Sequence, residues 1–293
     1  QRAAESGSAH VLSAFHAPVP GPDLGLAPML VRFLGCAGLP AVLARQRADR
    51  RLSSLGLRNP AERNEVIELF APPLRPISDT PALRLLNPSE RHTRLLRAIR
   101  ALSARRPVIL LLHDVQWGPD ALTFVERLLD VDRTGGCPVL VVATLRSDLL
   151  DRRPVVAQTV ERLGERPEVG TVQLSALGAA AIQTLLGRDL RLRPETVARL
   201  AALTEGNPLF AVELVRELAE AGLLVGRTGN QRAHVSAETP IHGDLEQGWL
   251  ARVARHLQGR PDTDGHAMEL AAVLGGVVNP QDWADVCDSA GID

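Results

Sequence analysis

Two stretches place ionisable groups where an apolar run ends. His113-Asp114 follows Pro107–Leu112, and Thr144-Leu145-Arg146 follows Cys137–Ala143. A carboxylate leaving a buried strand can hold a hard cation such as Mg²⁺ or polarise a water. The Arg146 guanidinium stands beyond the carboxyl end of a neighbouring strand, where ligands of open parallel sheets bind. A third stretch, Gly206-Asn207-Pro208, orders a helix stop, a cap and a first-turn proline, which starts a helix rigidly. Each has a plain structural alternative. Asp114 can be a loop residue capping the helix that starts near Pro119, Arg146 can pair with Asp148 or Asp151, and residues 206–208 can be an ordinary joint between helices. Spacing alone leaves both readings open.

The elements that must position these groups alternate. Ala9–Phe15 has the character of a short strand, and the apolar spacing from Leu26 to about Leu55 is helical. The run from Arg45 to Arg51 carries five charges of both signs and reads as a solvated helix face. Four prolines in residues 71–87 predict a loop. Asn87-Pro88-Ser89-Glu90 then supplies an N-cap, a first-turn proline and an N3 glutamate, followed by Leu95, Leu96, Ile99 and Leu102 at helical spacing. Arg105-Arg106 ends that helix, where cations meet the negative end of the dipole.

Pro107–Leu112 and Cys137–Ala143 are continuous apolar runs, expected as strands buried on both faces. A helix opens at Pro119 and breaks at Gly135-Gly136; another is expected near 154–163, and a further strand near 169–176. Strands and helices alternating at this spacing predict a parallel α/β sheet. After Leu177 the pattern turns helical, with helices near 178–186, 194–205 and 208–221. A small hairpin follows around Thr228-Gly229-Asn230, then helices near 245–257, 266–275 and 280–288. The expected organisation is an α/β core over 1–176, a small helical domain over 177–224 and the start of a third unit over 225–293.

Composition removes several chemistries. All 33 basic residues are arginine, so Schiff bases, Ser–Lys dyads and a phosphate-loop lysine cannot come from these residues. A formal net charge of −1 gives no basic field for nucleic acid or anionic lipid, and Asp282, Asp285, Asp288 and Asp293 near the C-terminus would repel phosphate backbones. Three isolated cysteines lack metal spacing and point to a reducing cytoplasm. The histidines contain no HExxH, no GxSxG elbow occurs, and no apolar run approaches membrane-spanning length. Trp117, Trp249 and Trp283 are scattered and read as packing residues.

Taken as whole segments, Pro107–Gly118 (PVILLLHDVQWG), Pro138–Arg146 (PVLVVATLR) and Thr204–Phe210 (TEGNPLF) occur in fixed order. Together they resemble the signal-transduction ATPases of the AAA superclass, the STAND NTPases. They look most like bacterial modules fused to serine/threonine kinases or to large LuxR-type transcription regulators. The resemblance runs from about Ala9 to the C-terminus. It implies a P-loop NTPase sheet, with Val108–Leu112 and Asp114 as the Walker B element and Arg146, beyond Thr144, as a sensor near the γ-phosphate. Gly206, Asn207 and Pro208 would open a lid helix near adenine and ribose, so the resemblance makes 1–176 a partial nucleotide-binding α/β domain, 177–224 a helical lid domain and 225–293 an incomplete winged-helix-like segment. The implied ligands are ATP or ADP with Mg²⁺. The implied partners are a fused kinase or DNA-binding output domain and helical repeats, with oligomerisation open.

Two departures stand out. The family's first acid after the strand is replaced here by His113, a poor Mg²⁺ ligand beside Asp114. No GxxxxGK[ST] occurs, so the phosphate loop and its strand are not among these residues. Because the chain opens on Gln1, truncation of a longer protein is the expectation. The isolated chain should then bind ATP poorly. The predicted function is an ATP-binding switch module of a multidomain signalling or transcription-control protein. The alternative is a nucleotide-independent pseudo-ATPase scaffold.

Overall fold

The strand Val108–His113 (β2) lies at the centre of a three-stranded parallel sheet, between His10–Phe15 (β1) and Val139–Ala143 (β3). The computed structural model describes residues 7–19, 21–71, 86–132, 137–187, 193–220, 222–225, 234–235, 245–274 and 278–292. The register pairs His10 with Val108 and Phe15 with His113, then Val108 with Val139 and Leu112 with Ala143. The chain divides into two compact units, Gln1–Thr171 and Val172–Asp293. The second unit takes in both the expected lid and the expected C-terminal segment.

In the first unit the helices are α1 (Leu26–Phe33), α2 (Ala41–Ser54), α3 (Pro60–Ile67), α4 (Pro88–Ser103), α5 (Pro119–Asp132) and α6 (Pro154–Gly164). The helical pattern expected from Leu26 to about Leu55 forms as two helices, α1 and α2. Gly35 and Gly38 take positive φ of 68° and 71°, and Pro40 restarts the chain. Helix α4 begins with the expected reciprocal cap. Glu90 N–H donates to Asn87 Oδ1 at 2.9 Å, and Asn87 N–H donates to Glu90 Oε2 at 3.1 Å. Its buried stripe includes Leu95, Ile99 and Leu102. The expected loop over 71–87 and the break at Gly135-Gly136 lie largely or wholly outside the described residues.

The strands are not buried evenly on two faces as their apolar runs predict. Leu12, Ala14, Val108, Leu110 and Leu112 are fully buried and join α1 to α6 in one core. On the opposite face, Ile109 and Leu111 are only half-buried, and their register partners Leu140 and Val142 are 58% and 43% exposed. The described helices cover one face; continuous apolar sequence reports the capacity for two. The strand expected near 169–176 does not form. Residues 169–178 have no regular structure, and Val172 and Leu174 are 83% and 90% exposed. A strand needs a ladder partner for its N–H and C=O groups, and among the described residues none pairs with this segment.

The second unit carries α7 (Ala179–Gly187), α8 (Pro194–Leu203) and α9 (Pro208–Glu220), close to their predicted spans. They share a core of Ile182, Leu186, Val197, Leu200, Phe210, Leu214 and Leu218. Strands β4 (Leu224–Val225) and β5 (His234–Val235) pair antiparallel as the expected hairpin, whose Thr228-Gly229-Asn230 turn is outside the described residues. Helices α10 (Leu245–Leu257), α11 (Asp262–Leu274) and α12 (Pro280–Ser289) follow. Arg252 on α10 meets Glu213 on α9 at 2.9 Å, and Trp283 Nε1–H on α12 donates to Ala267 O on α11 at 2.8 Å. Among the described residues no helix is long and apolar enough to cross a membrane.

Candidate functional site

Asp114 leaves β2 in the left-handed conformation, φ 55° and ψ 46°. A branched or bulky residue resists that geometry, whereas aspartate tolerates it. The turn is held from the neighbouring strand end. Thr144 N–H donates to Leu112 O at 2.9 Å, Val115 N–H to Thr144 O at 3.0 Å, and Asp114 N–H to Thr144 Oγ1 at 3.2 Å. The Asp114 side chain does not cap the short 3₁₀ turn Val115–Trp117 that follows. It stays exposed, with Oδ1 accepting from Gln116 Nε2 at 3.2 Å.

Gln116 is fully buried. Its other amide atom, Oε1, accepts the Arg146 backbone N–H at 3.3 Å. One side chain therefore ties the acid after β2 to the guanidinium residue after β3. In the sequence Gln116 is one residue of the Pro107–Gly118 segment, with no role of its own implied. A polar residue in an otherwise apolar turn was the available signal, since buried amides must satisfy their own hydrogen bonds.

Arg146 is exposed and forked onto Asp148, with Nη2 to Oδ2 at 2.7 Å and Nε to Oδ1 at 3.3 Å. That bond holds the Asp148 carboxyl below its ordinary range and raises the Arg146 guanidinium further, with Asp114 adding weakly to the latter. The ion pair weighed from sequence is thus present. Exposed on both sides, it is readily exchanged for another anion.

His113 faces different neighbours. Its ring stacks on Phe15 with centroids 4.6 Å apart and planes 7° apart, and Arg32 lies 5.3 Å from the Phe15 centroid. His16 Nδ1–H donates to the His113 carbonyl at 2.7 Å. Gly118 is packed so closely on the His16 ring that a Cβ there would overlap it. Arg153, just before α6, sits over the Trp117 ring at 3.9 Å. These contacts pin the rim on which Asp114 and Arg146 stand.

Among the described residues no group of three or more His, Cys, Asp or Glu side chains converges to hold a metal ion. Mg²⁺ on a phosphate needs fewer, because it keeps several waters and takes one or two carboxylates with phosphate oxygens. Asp114 fits that limited demand. His113, a nitrogen donor stacked on Phe15, does not.

Gly206-Asn207-Pro208 lies in the second unit. Glu205 and Gly206 both take positive φ, 48° and 74°, and a Cβ on Gly206 would overlap the Leu177 backbone N and O. Leu177 N–H donates to Gly206 O at 2.9 Å. Asn207 Oδ1 accepts from Leu209 and Phe210 N–H at 3.0 and 3.2 Å, capping α9 with Pro208 in its first turn. The stop, cap and start expected from sequence are all present.

No protein-family model matches the chain, and no curated protein matches it.

Proposed function

We propose that the first unit is the acid-and-sensor part of a STAND-type ATP-binding switch module, and that the second unit contributes its helical lid. The observation that carries this reading is the joint rim after β2 and β3: Asp114 and Arg146 leave adjacent parallel strands, and one buried amide, Gln116, holds both turns. Ligands of open parallel sheets bind beyond the carboxyl ends of strands, where this rim stands. Two further features fit. β3 has no outer partner among the described residues, and the Leu140 and Val142 side of the sheet is exposed. A phosphate-loop strand and its helix, supplied from outside residues 1–293, would cover both.

In this reading Asp114 orients Mg²⁺ waters or the attacking water, and Arg146 leaves Asp148 for the γ-phosphate. Thr144 keeps the Asp114 turn in place. Bound Mg²⁺ would neutralise charge developing on the phosphate oxygens. Gly206, Asn207 and Pro208 would fix the start of the lid helix, where Asn207 caps α9 through its side-chain oxygen. Exchange of ATP for ADP would shift the lid and an attached kinase or DNA-binding output domain in a cytoplasmic signalling protein. The test is MgATP binding by the whole protein, with Arg146→Ala expected to weaken it.

A second reading, a nucleotide-independent scaffold, draws on His113 at the first acid position. Replacing His113 with Asp in the whole protein separates the two. Gained turnover would show that His113 limits a nucleotide site, and unchanged turnover with unchanged output would remove the His113 argument for the scaffold.

A further inference from the structure

A basic groove lies at the opposite end of the sheet from Asp114, beside the start of β1. Two adjoining cavities of about 470 and 420 Å³ share Phe33, Arg51 and Ser54. Arg47, Arg50 and Arg51 line the first; Arg51, Arg105, Arg106 and His10 line the second. Among the described residues neither has an acidic lining residue. Each is within the range of about 300–1,000 Å³ that holds small ligands.

The sequence explains the arrangement. Positions 47, 50, 51 and 54 recur at i, i+3, i+4 and i+7 and so share one face of α2. The other charges of that run are turned elsewhere: Arg45 donates to Ala71 O, and Asp49 pairs with Arg63 at 2.6 Å. Two close approaches to glycine place two guanidiniums, Arg47 against Gly35 and Arg105 against Gly56. Arg106 donates to Gly7 O at 2.6 Å. Among the described residues none of these five arginines pairs with a carboxylate. The ends of α2 and α4 offset about one charge through their dipoles, leaving an excess of about four positive charges.

We infer that this groove binds a soluble small molecule bearing two or three linked phosphates. Two phosphoryl groups carry roughly three to four negative charges, which matches that excess, and guanidinium forks fit phosphate oxygens in pairs. The arginines gather around two adjoining open depressions, a shorter footprint than the continuous stripe that a nucleic-acid backbone requires. His10 adds support. Its Nε2 is buried without a hydrogen-bond partner among the described residues. Burial first, then Arg106 and Arg51, hold its imidazole below the ordinary range. Strand rise puts the groove about 20 Å from Asp114, so it is separate from the proposed ATP site.

The test is isothermal titration of inorganic pyrophosphate into the full 293-residue chain at low salt. Saturable one-to-one binding is expected, weakened more than roughly tenfold by the double variant Arg47→Gln, Arg51→Gln. Both side chains are exposed, so the variant should retain the wild-type circular dichroism spectrum. Arg146→Ala should bind pyrophosphate like wild type. Absence of saturable binding, equal binding by the double variant, or loss on Arg146→Ala would overturn the assignment. So would retention on phosphatidylserine vesicles or duplex DNA that excess pyrophosphate does not displace.

Discussion

The side-chain carbonyl of Gln116 accepts the backbone N–H of Arg146 at 3.3 Å while the same amide donates to Asp114 at 3.2 Å. Gln116 is fully buried, so its own amide has no solvent partner to replace either bond. Gln116→Leu should therefore cost about 1–3 kcal/mol, since it leaves the Arg146 N–H without this acceptor. Urea denaturation reads the loss. Hydrogen exchange should speed at residues 114–118 and 144–146 together; exchange rising on one side alone would show that the two turns are not coupled.

Gly206→Ala should destabilise the second unit by roughly 2–4 kcal/mol, combining strain at positive φ with overlap on the Leu177 backbone. Thermal melting of the variant, followed by proteolysis of residues 172–293, measures it. A near-wild-type melt would mean that the Leu177 segment moves aside freely.

Asn207→Ala should cost about 1 kcal/mol through loss of the α9 cap, and Asn207→Asp should restore most of it. If Asn207 also touches nucleotide in the whole protein, Asn207→Asp will keep stability yet lose ATP affinity. Paired melting and binding measurements separate the two roles.

His92 and Asp120 give a pH signature. His92 Nε2–H donates to Asp120 Oδ1 at 2.8 Å between α4 and α5, and that bond holds the Asp120 carboxyl below its ordinary value of 3.8. A depressed carboxylate contributes stability that is present above its unfolded pKa and lost as pH falls through the lower folded value. Asp120 is 47% exposed, so the contribution is at most about 1 kcal/mol. Unfolding titrations from about pH 5 to pH 2 should show a shallower acid slope in Asp120→Asn.

Much of the fold was legible because local signals agreed. The Asn87 capping box, Pro119, Pro194 and Pro208 each mark a helix start that forms. The β2 and β3 runs mark strands that pair in parallel. What failed depended on partners that local sequence does not carry. Val172 and Leu174 have strand character but no ladder neighbour, and Leu140 is apolar yet exposed. At the candidate site, Asp114 and Arg146 could be named from strand ends, whereas Gln116 could not be given its role. Its two bonds join segments 30 residues apart. Of the groove's arginines, Arg47, Arg50 and Arg51 read in sequence as part of a solvated helix face, and Arg105 and Arg106 as the end of a helix. Only the fold shows that Asp49 is turned to Arg63.

The proposed switch is tested most directly by titrating MgATP into the whole protein and its Arg146→Ala and Asp114→Asn variants. Saturable binding by the whole protein is expected, weakened roughly tenfold or more by Arg146→Ala, with very weak binding by residues 1–293 alone. No binding by the whole protein, or equal binding by all three proteins, would contradict it.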